Sequence, residues 1–299
     1  MRSTISASLR SARGWSLGDM LSWGLIVGGA TTASLLVVLV TGYLIIESLP
    51  LLLHGGAARF FTDDGWWPLD GSFNMLPMFS ASLLLTLASL LLATPLSLAF
   101  SCFTVFYAPP GLGALLQRLI DVSAAVPTVI YGLWGLSYIV PLLSAITPGA
   151  GPSLLAGVFV MSIMIFPTLT VLIQSALHGV PPTYTQAAQA LGVGRSATLL
   201  RVVMPAAQHG IVAAMALGAA RAIGETMVVL MVCGNVVQMP GSLLDPVRTL
   251  TANIALEMPY AMGAHRTSLF VAGLLVLALV ACLVATSEAV SQHVRRRTR

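Results

Sequence analysis

Six stretches of this chain are each long and apolar enough to cross a bilayer, and that repetition constrains the fold more than any motif does. They run Ser22–Ile46, Phe79–Tyr107, Leu119–Leu143, Ser153–Leu177, Ala206–Cys233 and Ser268–Val290. Crossing the hydrocarbon core takes about 20 residues of helix at 1.5 Å rise each. In lipid, backbone polar groups must be satisfied internally, so segments of this length are expected as helices. Charged residues make up 8% of the 299 residues, against roughly 25% in a soluble domain. So few charges cannot solvate a globule of this size. The expected fold is an all-α polytopic membrane protein, with residues 22–290 embedded in lipid. A tail of residues 1–21 precedes this region and a basic tail, 291–299, follows it.

The net charge of +4 comes from arginine, since the chain contains no lysine. Its arginines sit at segment ends and in short loops, the pattern of topology determinants and not of a nucleic-acid surface. Arg2, Arg10 and Arg13, the Pro109–Arg118 loop, Arg195 and Arg201, and Arg295–Arg299 fall on one side. The loop 47–78, carrying Asp63, Asp64 and Asp70, falls on the other. The positive-inside rule then places both termini in the cytoplasm and loop 47–78 outside. The first apolar run is too long for a signal-peptide core and is read as a retained helix, a cleaved signal being the alternative. Trp66-Trp67-Pro68 suits either an interfacial anchor or a docking surface for an external partner.

The cysteines Cys102, Cys233 and Cys282 lie far apart and form no CxxC pattern, so they read as small buried hydrophobes. The five histidines show no metal-ligand spacing. No metal or cofactor is expected, and no catalytic constellation is present. Pro95, Pro127, Pro141 and Pro167 interrupt spans. Tyr131-Gly132-Leu133-Trp134-Gly135 mixes small and aromatic residues and is read as close packing ahead of substrate contact.

The 179–204 connection is the most informative loop. Pro181-Pro182 ends the fourth span, and Thr183 can cap a new helix. Tyr184–Leu191 reads as that short helix, stopped by Gly192. A second helix, Arg195–Val203, leads to Pro205 and the fifth span. Such a knob suits a groove on a partner; an amphipathic loop lying on the membrane is the plainer alternative.

Gln186-Ala187-Ala188, three residues, Gly192, nine residues, then Val202-Val203-Met204-Pro205 resembles the EAA loop of bacterial ABC importer permeases. Gln186 stands where that family has Glu, so the charge is absent and the steric shape is kept. Arg221–Met227, followed by Gly234-Asn235, is similar to the PstC-type phosphate permease, as are Ala125–Leu136 and Ala108-Pro109-Pro110. The resemblance covers the chain from about Phe60 to the last span. It implies a type I importer bundle in a bacterial inner membrane, with Gln186, Ala187, Ala188, Gly192 and Pro205 forming a coupling loop. It also implies a dimer of cytoplasmic ATP-binding subunits, a homologous second permease and a periplasmic phosphate-binding protein as partners.

A P-loop needs a lysine to reach the β- and γ-phosphates, and this chain has none. ATP hydrolysis is therefore expected on another subunit. Arg221 and Glu225 lie inside the fifth span, where each charge costs roughly 2.5–3.5 kcal/mol to insert. Their i,i+4 spacing predicts mutual neutralisation on one helix face. Arginine's planar fork suits an oxyanion, so the pair is a candidate translocation-path site; a structural ion pair is the alternative. Arg118 and Asp121 read as snorkelling or local pairing, and Arg248 as a solvated loop charge or an anion guide, with Glu257 and Arg266 nearby. A permease for another oxyanion and an ion-gradient-driven carrier are the competing functions.

Overall fold

The computed structural model describes residues 17–149 and 151–297. The expected tail 1–21 lies outside the described residues as far as residue 16, and so do the side chains of the tail 291–299. Six helical segments meet the length and hydropathy needed to cross a membrane. α1 (Leu17–Gly55) packs along α13 (Gly263–Arg297), with Tyr43 edge-on to Phe270 at 5.6 Å. A short α2 (Arg59–Thr62) then leads to β1 (Trp66–Trp67), which pairs antiparallel with β2 (Ser72–Phe73). This hairpin, turned by Gly71 at φ +73°, and a single parallel bridge between Gly234 and Val247 are the β structure among the described residues. The hairpin closes one end of the bundle.

The remaining spans are α3 (Leu76–Phe106), the Thr128–Ile146 segment, α7 (Leu154–His178) and the Arg195–Ile223 segment. The third differs from the expected Leu119–Leu143. α4 (Pro110–Ala125) is a separate amphipathic helix, and the chain turns extended at Val126, ψ 128°. Pro127 favours this break, since its ring disfavours helical backbone at the residue before it; Pro95 and Pro167, also expected to interrupt spans, stay inside unbroken α3 and α7. The crossing then follows as α5 (Thr128–Trp134), a π-helical turn at Gly135–Ile139 and α6 (Val140–Ile146). On α4, Asp121 accepts from Gln117 at 2.9 Å instead of pairing with Arg118. The fifth span also differs: it ends at Ile223, not Cys233.

α3 and α7 form the centre. They run parallel at a constant offset, because Ser89 Oγ donates to the Val158 carbonyl, Ser97 to Phe166 and Ser101 to Thr170, at 3.2–3.4 Å. Ser162 returns a bond to the Ser89 carbonyl, and Gln174 Nε2 donates to Thr104 at 2.8 Å. Ser89, Ala93, Ser97 and Ser101 recur every fourth residue and are all buried. Small residues at that spacing let two backbones approach in lipid, and hydroxyls then bridge them.

Glycines bring the other spans in. A Cβ on Gly218 would sit 2.6 Å from Leu169 Cδ2, and one on Gly132 would sit 2.8 Å from Met231 Sδ. On Gly135 it would meet Val160 Cγ2 at 2.5 Å and Val232 Cγ1 at 3.0 Å, both on fully buried valines. The packing reading of Tyr131–Gly135 thus matches how its glycines sit. Gly135→Val is expected to cost about 2 kcal/mol through overpacking, read as a lowered thermal midpoint of the purified protein.

Candidate functional site

The fifth span begins in the knob. α8 (Pro182–Ala190) starts on Pro181 and Pro182 with no side-chain cap, so the expected capping by Thr183 does not occur; proline at the first helical position replaces it. Gly192, at φ +72°, ends the helix. Its amide bonds the Gln189 carbonyl at 2.9 Å, and the Val193 amide bonds Ala188 at 3.0 Å, a Schellman close that only a residue tolerating left-handed backbone completes without strain. α9 (Arg195–Thr198), a π-helical turn at Leu199–Val203 and α10 (Met204–Ile223) continue as one rod. Ala188 is buried, whereas Gln186, Ala187 and Leu191 (82% exposed) face outward. Pro205 lies in the first turn of α10. Tyr107 at the end of α3 meets Ser196 at 2.9 Å and ties the knob to the bundle.

Arg221 and Glu225 are not brought together. The helix ends at Gly224, and the i,i+4 face that would pair them is lost. Glu225, 9% exposed, turns its carboxylate to the amides of Met227 and Val228 at 3.1 and 3.3 Å. It thereby satisfies the first free donors of α11 (Met227–Val232). Arg221 is exposed, forms no ion pair among the described residues, and lies within electrostatic reach of Tyr131 on α5. The expected pair is instead a helix break with a seated carboxylate on one side and an unpaired guanidinium on the other.

A second charged cluster, at the hairpin end, was not legible as a unit. Glu257, at the end of α12 (Leu250–Glu257), accepts from Arg248 at 2.8 Å, from Trp66 Nε1 at 2.9 Å, and contacts His265 Nε2 at 2.8 Å. Arg248 also donates to the Asn235 carbonyl and to Asn253 Oδ1 at 2.8 and 3.1 Å. Asn235 holds left-handed backbone, φ 57°, beside Gly234 at φ 87°, which points its carbonyl at Arg248. The reading of Arg248 as a solvated loop charge is therefore corrected: burial beside Glu257 favours pairing. Trp66 is 7% exposed and Trp67 64%, so only the second of the two can anchor in an interface. Trp67, Gln238 and Arg248 border a cavity of about 680 Å³ that opens beside the hairpin.

Residues 93–297, from within α3 to the end of α13, match the family described as binding-protein-dependent transport system inner membrane component. The chain belongs to this family. Among relatives of this inner-membrane component is the probable ABC transporter permease protein YqgH of Bacillus subtilis. The two are 34% identical over 81% of each chain. The phosphate transport system permease protein PstC of Xylella fastidiosa is 30% identical, over 81% of this chain and 82% of its own. A bacterial alginate ABC transporter, solved with an alginate pentasaccharide-bound periplasmic protein, shares the fold. It has a TM-score of 0.65 at 14% identity, covering 93% of this chain and 98% of that one. The family assignment makes the molecule a multi-pass membrane subunit of a transport system, with the six crossings as its body.

Proposed function

We propose that this inner-membrane component is the permease subunit of an ATP-driven importer of inorganic phosphate. One observation carries the reading: Arg221 stands beside a helix break at the end of the fifth crossing, exposed and without an ion-pair partner among the described residues. A guanidinium left free at membrane depth is costly unless a water-filled path or an anion meets it, and its planar fork accepts two oxygens of a phosphate together. Glu225, already seated on backbone amides, supplies negative charge nearby and keeps the anion's stay short. The names of relatives at 30% identity and below support phosphate as cargo.

The knob end faces the cytoplasm in this reading, with both termini inside. Gln186, Ala187, Leu191 and the Gly192 turn present a protruding uncharged surface to a dimer of ATP-binding subunits, which hydrolyse the ATP that this lysine-free chain has no P-loop to bind. A homologous permease completes the path, and a periplasmic binding protein delivers phosphate at the hairpin end. Alternation between inward-open and outward-open states is then driven through the knob.

The test is reconstitution of the four components in vesicles and uptake of radiolabelled phosphate. Uptake is expected only with ATP and the binding protein, and a hundredfold excess of sulfate is expected to leave it unchanged. Uptake without ATP would return the chain to the ion-gradient carriers, and equal competition by sulfate would make the cargo oxyanions in general.

A further inference from the structure

α12 is pinned at both ends to parts of the molecule that sequence keeps far apart. At its first turn, Thr251 Oγ1 donates to the Glu225 carbonyl at 2.8 Å, and the Leu250 amide donates to Ser82 Oγ on α3 at 3.1 Å. Thr249 caps the same turn, accepting from the Ala252 amide at 3.3 Å. At its last residue, Glu257 holds Trp66 of the hairpin, His265 of α13 and Arg248. These anchors sit at the two ends of an eight-residue helix, about 12 Å long, with Leu250, Ala252 and Asn253 fully buried. A helix so short and so buried moves as one piece.

We propose that α12 is a strut that sets the position of the helix break at Gly224–Glu225 according to the position of the hairpin, with Glu257 and Thr251 as positioning residues at its two ends. The inference builds on the proposed path role of Arg221 and Glu225. A displacement of Trp66 pulls on the Glu257 carboxylate, tilts α12 and moves the Glu225 carbonyl through Thr251. The Glu225 side chain, two bonds along the chain from that carbonyl, is the one capping α11, so the shift reaches the amides of Met227 and Val228. A partner pressing on the hairpin end thereby alters the geometry beside Arg221 without touching it.

The consequence is readable without any transport. In the complete importer held in lipid nanodiscs, Trp66→Phe keeps an aromatic ring beside Phe73 and deletes the N–H bonded to Glu257 along with part of the indole. Losing one such bond corresponds to about a 5-fold change in a local opening equilibrium. Amide hydrogen exchange over residues 225–232 is expected to rise by about that factor, with α7 (154–178) unchanged. Thr251→Val, which severs the other anchor, is expected to raise exchange over 225–232 by itself. Adding Trp66→Phe to it is then expected to raise exchange no further, since the link is already cut. Unchanged exchange over 225–232 in Trp66→Phe, a rise spread equally over α7, or simple multiplication of the two effects would each overturn the strut. These outcomes do not depend on cargo: absence of phosphate uptake by the unaltered complex would overturn the proposed function while the exchange result still decides the strut.

Discussion

Arg221→Gln is expected to lower phosphate uptake by the reconstituted importer at least tenfold, while the purified protein keeps its thermal midpoint. The two halves of that expectation have different origins. Hydrogen bonds to a charged partner are worth about 1.5–3 kcal/mol, or roughly 10- to 100-fold, and glutamine offers neither the charge nor the two-pronged donor geometry. The fold should tolerate the change because Arg221 is exposed and holds no ion pair among the described residues. Had it been locked to Glu225 in the interior, breaking the pair would destabilise the protein by about 3–5 kcal/mol. Uptake and melting measured on one preparation separate the cases. A melting loss with normal uptake would make Arg221 a structural residue.

A loss of stability is expected at Glu257. Glu257→Ala removes the shared acceptor of Arg248, Trp66 and His265 at once. Arg248 is one-fifth exposed, so water replaces the lost carboxylate only in part, and the cost should approach about 3 kcal/mol. The hairpin should loosen first, since Trp66 is its only buried side chain besides Phe73. Denaturation of the detergent-solubilised protein checks this. Glu257→Gln, which keeps oxygen and shape while losing the charge, is expected to recover about half the loss.

The crossings were legible because apolarity over 20 residues has few structural meanings in a chain this poor in charge. Their ends were less so. Leu119–Leu143 merged an amphipathic helix with a span because both are apolar, and only the backbone turn at Val126 before Pro127 separates them; proline alone did not mark it, since Pro95 and Pro167 leave α3 and α7 unbroken. The i,i+4 pairing of Arg221 and Glu225 presupposed an unbroken helix, but Gly224 sits between them and Glu225 bonds backbone amides in preference to Arg221. A carboxylate that can reach the free N–H groups of a following helix competes with helix continuity in this way. The Glu257 cluster had no local signature, because Trp66 is 191 residues away along the chain. The knob was legible down to its glycine, since spacing and turn chemistry are local properties.

The serines between α3 and α7 act as the teeth of a rack. Ser89, Ser97 and Ser101 engage carbonyls at matching intervals, so the two helices mesh again only after sliding a full turn, about 5.4 Å. Any smaller slip breaks all three interhelical bonds together and returns each hydroxyl to its own helix, as Ser162 already bonds the Val158 carbonyl at 2.6 Å. The pair is therefore indexed in whole turns and travels as one body. α10 meets α7 through the smooth surfaces of Gly210 and Gly218 instead, and ends at Gly224. At that seam of small residues the helix that carries Arg221 has no such index, so the geared pair is the stiffer element and α10 the one freer to shift.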